Sequence, residues 1–127
     1  RWLLLPAPWS RAELLDAIRF VESGDRAVVP DGDNGLAIGP YQIHEDYWRD
    51  ALDAEPVIGG GYQDCRSRAY AERVVAAYMQ HYVPAAWMAG EAEVIARVHN
   101  GGPTGYRSPA TLGYWQRVQT RLLLMVR

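Results

Sequence analysis

Glu22-Ser23-Gly24 closes an apolar-striped stretch, and Gly39-Pro40-Tyr41-Gln42-Ile43 opens 15 residues after Gly24. Asp31 and Asp33 lie in the glycine-rich segment between these blocks. The arrangement offers one carboxyl group near the end of an apolar helix and a second on a nearby polar turn. Two carboxyl groups in unlike surroundings suit hydrolysis of a glycosidic bond. One is kept protonated to donate, and the other stays ionised to stabilise or attack. An E-S-G triplet alone is also what a helix end with a glycine cap looks like, so the rest of the chain decides between the two.

The elements that must position these groups read as mostly helical. Ser10 and Glu13 form a capping-box pattern, and Leu14, Leu15, Ile18 and Val21 make one apolar stripe, which predicts a helix over about 11–22 ending at Gly24. Residues 28–43 hold Pro30, Gly32, Gly35, Gly39 and Pro40 among β-branched residues, which predicts a short twisted hairpin with turns at Asp31-Gly32 and Asn34-Gly35. A short helix over about 44–53, the Gly59-Gly60-Gly61 loop and a long helix over about 65–82 follow, with Tyr70, Val74, Ala77, Tyr78 and His81 on one face. A helix over about 91–99 stops at Asn100-Gly101-Gly102-Pro103. Ser108 and Pro109 start a last helix with Leu112, Trp115, Val118, Leu122 and Met125 inward.

Composition narrows the function classes. A chain of 127 residues with 49% hydrophobic and 22% charged residues is expected to form one globular domain, 1–127, with 1–9 as an apolar N-terminal extension. Net charge is −2 and no basic run stands out, so nucleic acid is not an expected partner. All 13 basic residues are arginine, which excludes a lysine base or Schiff base from this chain. The single cysteine, Cys65, has no partner for an internal disulfide, and no Cys/His cluster has zinc spacing. The run from Trp2 to Trp9 is broken by Pro6 and Pro8 and is too short to span a bilayer. It reads as the tail of a trimmed leader or as a segment that packs on the domain.

Four blocks together resemble the invertebrate-type lysozymes, the group that includes the leech destabilases, and within it the cysteine-poor, bacterial-like members. They are Glu22-Ser23-Gly24; Gly39-Pro40-Tyr41-Gln42-Ile43 with Tyr47-Trp48 and Asp50; Tyr78-Met79 with Tyr82; and Arg97-Val98-His99-Asn100-Gly101-Gly102-Pro103 with Gly105. Tyr114-Trp115 and Val118 extend the match. The resemblance implies an α+β, lysozyme-like fold, with a mostly helical body and a small β-hairpin wing flanking a cleft. It implies a secreted or periplasmic muramidase, monomeric and without metal or organic cofactor. Such an enzyme hydrolyses the β-1,4 bond between N-acetylmuramic acid and N-acetylglucosamine in peptidoglycan strands, or in chitooligosaccharides. The family's general acid maps onto Glu22, where burial favours the protonated form. Its second carboxylate sits in a D-x-G pattern, which Asp33-Asn34-Gly35 fits and for which Asp31 competes.

Two departures stand out. Positions usually cysteine in the family correspond to Ile38, Ala51, Tyr70, Val74 and Tyr106, so core burial is expected to replace cross-links here. The isopeptidase activity ascribed to destabilases is attributed to a Ser/Lys pair, and a chain without lysine is expected to lack it. Substrate contacts are expected from Gln42, His44, Tyr47, Trp48, Tyr78, His99, Asn100 and Gly101, each with a packing or capping role as its bland counterpart. Retention needs the carboxyl groups roughly 5–5.5 Å apart and inversion about 6.5–9.5 Å, a rule whose reference case is itself a lysozyme. Two rivals remain: a lytic transglycosylase using Glu22 alone, since E-S-G followed by A-I-G-x-x-Q also fits that wider superfamily, and a glycan-binding module with a dead site.

Overall fold

The structure is a computed structural model and describes residues 9–125. Of the apolar run from Trp2 to Trp9, all but Trp9 lies outside the described residues. Helix α1, Arg11–Ser23, starts at the expected capping box: the Ser10 hydroxyl accepts from the Glu13 N–H, and the Glu13 carboxylate accepts from the Ser10 N–H. Its buried stripe of Leu14, Ala17 and Ile18 packs inward, and it stops at Gly24, whose φ of 70° is left-handed.

The wing is smaller than the sequence suggests. Strand β1, Ala37–Ile38, pairs antiparallel with β2, Ile43–His44, with Ala37 opposite His44 and Ile38 opposite Ile43. Gly32 adds one bridge to Ala37. Val28 and Val29 lie outside the strands. Pro30 lacks an N–H for a ladder, and the 3-10 turn Asp33–Gly35 folds the chain back after Gly32. The β1–β2 connection runs through Gly39 and Gln42, with φ of 78° and 51°. Gly39 is also a point of contact: a Cβ there would stand 2.0 Å from the Cys65 carbonyl oxygen.

That contact accounts for one correction. The expected helix over 65–82 is two pieces, a 3-10 turn Tyr62–Arg66 and helix α3, Arg68–Tyr82, joined at the extended Ser67. The Cys65–Arg66 backbone lies against Gly39, which ties the turn to the wing. On α3, Val74, Ala77 and Tyr78 face inward as expected and Tyr70 is half-buried, while His81 faces solvent. Helix α2, Glu45–Ala54, precedes this segment. Helix α4, Pro84–Ala89, lies between the two expected helices; Pro84 occupies its first turn, where its missing N–H costs nothing.

Helix α5, Ala92–Gly101, and helix α6, Leu112–Leu124, complete the body. Ser108 caps a 3-10 turn, Pro109–Thr111, and not α6 itself. The inner face of α6 is therefore Tyr114, Val118 and Leu122, with Leu112 exposed and Trp115 half-buried. Val74, Val75, Met79, Ile95 and Val98 form the centre of the core, and α1 packs on α6 beside it. Of the positions that are usually cysteine, Ile38, Ala51 and Val74 are buried in this core, Tyr70 donates to the Gly59 carbonyl, and Tyr106 is exposed. Burial of Ile38 and Val74 contributes about 1.5–3 kcal/mol each at two of the five positions where the resemblance implies cross-links, while the Ala51 methyl adds little. Among the described residues no helix is long and apolar enough to cross a membrane.

Candidate active site

The end of α1 is bolted to the wing and to α3. The Ser23 hydroxyl lies 2.9 Å from the Pro40 carbonyl oxygen and 3.0 Å from that of Arg19. Arg19, only 4% exposed, donates to the Tyr41 hydroxyl at 3.0 Å and to the carboxylates of Asp16, Asp25 and Glu72. Tyr41 is fully buried and in turn donates to Glu72. Burial and the Glu72 contact push its phenol far up, so it stays a donor. These bonds fix the position of Glu22, the penultimate residue of α1.

The Glu22 side chain is 18% exposed. Its Oε2 accepts a hydrogen bond from the Tyr114 hydroxyl at 2.8 Å, and His99 Nε2 lies 3.4 Å from the same oxygen. Among the described residues no hydrogen bond reaches Oε1. His99 Nε2 also sits 2.9 Å from the Tyr41 carbonyl, and Nδ1 sits 3.0 Å from the Tyr47 hydroxyl. A carbonyl oxygen only accepts, so Nε2 carries the hydrogen; in the neutral ring Nδ1 then accepts from Tyr47. Tyr47 is stacked on Tyr78, with ring centroids 3.7 Å apart and planes within 6°. Burial first, and then the Glu22 charge, hold the Tyr114 phenol well above its usual range; burial with Tyr78 and Glu22 does the same for Tyr47.

Asp33 lies across from this cluster on the wing. Asp33 and Asn34 both adopt left-handed φ, 50° and 56°, which their short polar side chains tolerate better than most. Asp33 Oδ2 is 3.1 Å from His44 Nε2, and its side chain is 60% exposed. Glu22, Asp33, Ala37, Gln42, His44, His99 and Asn100 together line one cavity of about 390 Å³. Asp31 is not among them: Arg66 engages both its oxygens, at 2.6 and 3.2 Å, and that contact holds its carboxyl below the usual range.

Tyr47, Trp48, Tyr78 and Gly101 are not among the residues that line the cavity. Tyr47 and Tyr78 back His99 as a stacked pair, and Trp48 donates its indole N–H to the Tyr70 hydroxyl. Gly101 packs against Thr111, where a Cβ would meet the methyl group at 2.4 Å. Gln42, besides lining the cavity, donates its amide to the Gly39 carbonyl and so braces the wing. Sequence reasoning passed over Arg19 and the role of Tyr114. Tyr114 lies 92 residues from its carboxyl partner, and no local pattern links them. Among the described residues no three His, Cys, Asp or Glu side chains converge to hold a metal ion.

A helical body with a two-stranded wing beside this cavity has the architecture of the lysozyme class. The Destabilase family profile matches residues 13–121, and the chain belongs to that family, the invertebrate-type lysozymes. It is 40% identical to Lysozyme 1 of Crassostrea virginica over 86% of this chain, and spans 58% of that relative's length. It is 39% identical to the lysozyme of Meretrix lusoria over 83% of this chain and 84% of the relative. In three dimensions it is similar to a chain of the crystal structure of Aeromonas hydrophila PliI in complex with Meretrix lusoria lysozyme. There the TM-score is 0.71 at 33% identity, covering 92% of this chain and 93% of the other.

Proposed function

We propose that this chain is a muramidase that hydrolyses the β-1,4 bond between N-acetylmuramic acid and N-acetylglucosamine, with Glu22 as general acid and Asp33 as its ionised partner. The observation that carries this reading is the contrast between two carboxyl groups on one cavity. Glu22 is 18% exposed among aromatic rings, and Asp33 is 60% exposed beside His44. General-acid work suits a carboxyl group shielded from water, and charge stabilisation suits one open to it. Glu22 passes its proton to the glycosidic oxygen as the C1–O bond breaks, with the bonding electrons leaving on that oxygen. Asp33 meets the positive charge that develops at C1; water then adds its hydroxyl to C1 and gives its remaining proton to the Glu22 carboxylate, which restores the acid. Gln42, His44 and Asn100 line the same space and are the groups that would orient the sugar. A peptidoglycan substrate would be met outside the cytoplasm.

The test compares Asp33→Asn with Asp31→Asn on a soluble chitooligosaccharide and on peptidoglycan, with products read by mass spectrometry. Asp33→Asn should lose about a hundredfold or more in turnover, as removal of a transition-state electrostatic partner does. Asp31→Asn should stay close to wild type. Undiminished turnover by Asp33→Asn, with anhydro-ended products from peptidoglycan, would replace this mechanism with that of a lytic transglycosylase.

A further inference from the structure

The grip on Glu22 is one-sided. Both contacts from the protein, Tyr114 Oη at 2.8 Å and His99 Nε2 at 3.4 Å, converge on Oε2. Both groups are themselves constrained. Tyr114 is buried on the inner face of α6. The His99 side chain is 2% exposed, with Nε2 shared with the Tyr41 carbonyl and Nδ1 occupied by Tyr47. The imidazole has no nitrogen left over for a sugar, although its edge lines the cavity.

Resting on the reading of Glu22 as the acid, we infer that Tyr114 and His99 are positioning residues that hold Oε2, leave Oε1 to deliver the proton, and stabilise the carboxylate that delivery creates. Before transfer, Glu22 is neutral and Oε2 is a modest acceptor. As the proton passes from Oε1 to the leaving oxygen, both oxygens take up negative charge, and hydrogen bonds to an ionised acceptor are about twice as strong as neutral ones. The Tyr114 hydrogen bond therefore tightens in the transition state, which is the condition for raising kcat and not merely for binding. His99 gives its Nε2 hydrogen to the Tyr41 carbonyl and stands 3.4 Å from Oε2 as a close polar neighbour, in the tautomer that the Tyr41 carbonyl and the Tyr47 hydroxyl enforce.

The pH profile separates this from packing. The groups facing Glu22 are His99 on α5, Tyr114 on α6, Tyr47 on α2 behind the imidazole, and Asp33 with His44 across the cavity; Arg117 lies 5.7 Å above the Tyr114 ring. Tyr114→Phe keeps the ring and removes one donor to the carboxylate. It should lower kcat roughly three- to tenfold with KM little changed, and move the alkaline limb of kcat upward by about half a pH unit or more. His99→Gln sets an amide nitrogen near the former Nε2, so it should retain more activity than His99→Ala. The assay is chitooligosaccharide turnover from pH 4 to 9, with Glu22→Gln and the melting temperature of each variant measured alongside. An inactive Glu22→Gln with a folded Tyr114→Phe that keeps both kcat and its alkaline limb would overturn the inference alone. An active Glu22→Gln would overturn the underlying assignment. If Tyr114→Phe does not fold, equal kcat and equal limbs for His99→Gln, His99→Ala and wild type would reject the same claim.

Discussion

Replacing Arg19 by Met tests whether the site's scaffold depends on a buried cation. Arg19 is 4% exposed and joins α1 to the wing through Tyr41 and to α3 through Glu72. Removing one partner of a buried charged cluster costs about 3–5 kcal/mol. The Asp16 and Asp25 side chains are 44% and 61% exposed, so they rehydrate and add little. The loss then comes mainly from the Tyr41 bond, at about 1.5–2 kcal/mol, with a smaller part from the longer Glu72 contact, since Arg68 and Tyr41 still donate to that carboxylate. Methionine keeps the packing of the stem, so the expected total is about 3 kcal/mol. For a domain of this size that lowers Tm by about 10 °C. Urea denaturation and thermal melts of Arg19→Met, Tyr41→Phe and the double variant measure it, with a coupling of about 1 kcal/mol expected between the two sites. A loss below about 1 kcal/mol, or strictly additive single effects, would show that the cluster does not hold the end of α1 as described.

Gly39→Ala should be more damaging than its size suggests. Its φ is 78°, and the new methyl would fall 2.0 Å from the Cys65 carbonyl oxygen, so a loss of at least about 3 kcal/mol in urea is expected, against under 1 if the wing simply shifts. Arg66 holds the Asp31 carboxyl below its ordinary 3.8, so the pair stabilises the fold above that pH and its contribution fades as pH falls through the lowered value. Wild type should therefore melt above Asp31→Asn at pH 6 and match it near roughly pH 2; a gap that widens in acid would reverse the assignment. Cys65 is fully buried, and burial pushes its thiol up to about 12, so a thiol reagent at neutral pH should leave the folded protein unmodified and label it in urea. Stoichiometric labelling without denaturant would contradict that burial.

The features that the sequence announces are those carried by neighbouring residues. The Ser10–Glu13 box and the Gly24 stop frame α1 because capping acts within a turn. Asn100-Gly101-Gly102 likewise marks the end of α5. Features set by distant contacts stay hidden. Asp31 and Asp33 are alike as aspartates beside turns; what parts them in space is Arg66, 35 residues beyond Asp31, and His44 on β2. The break at Ser67 depends on the Cys65 backbone meeting Gly39, and after the turn Pro109–Thr111 the first residue of α6, Leu112, is exposed while Tyr114 continues the Val118–Leu122 stripe one turn earlier. That placement brings the Tyr114 hydroxyl to Glu22. Residue types single out Glu22 as the candidate acid, but its surroundings are assembled from α5, α6 and a wing carbonyl that only tertiary structure brings together.

Clearance of a bacterial cell-wall suspension by wild type and Glu22→Gln, at matched concentrations of folded protein, addresses the central claim most directly. Glutamine keeps the shape and the Tyr114 contact but has no acidic proton to give. The rate should fall by about a hundredfold to ten-thousandfold, the range for loss of a general acid. Equal clearance by the two proteins would contradict the account.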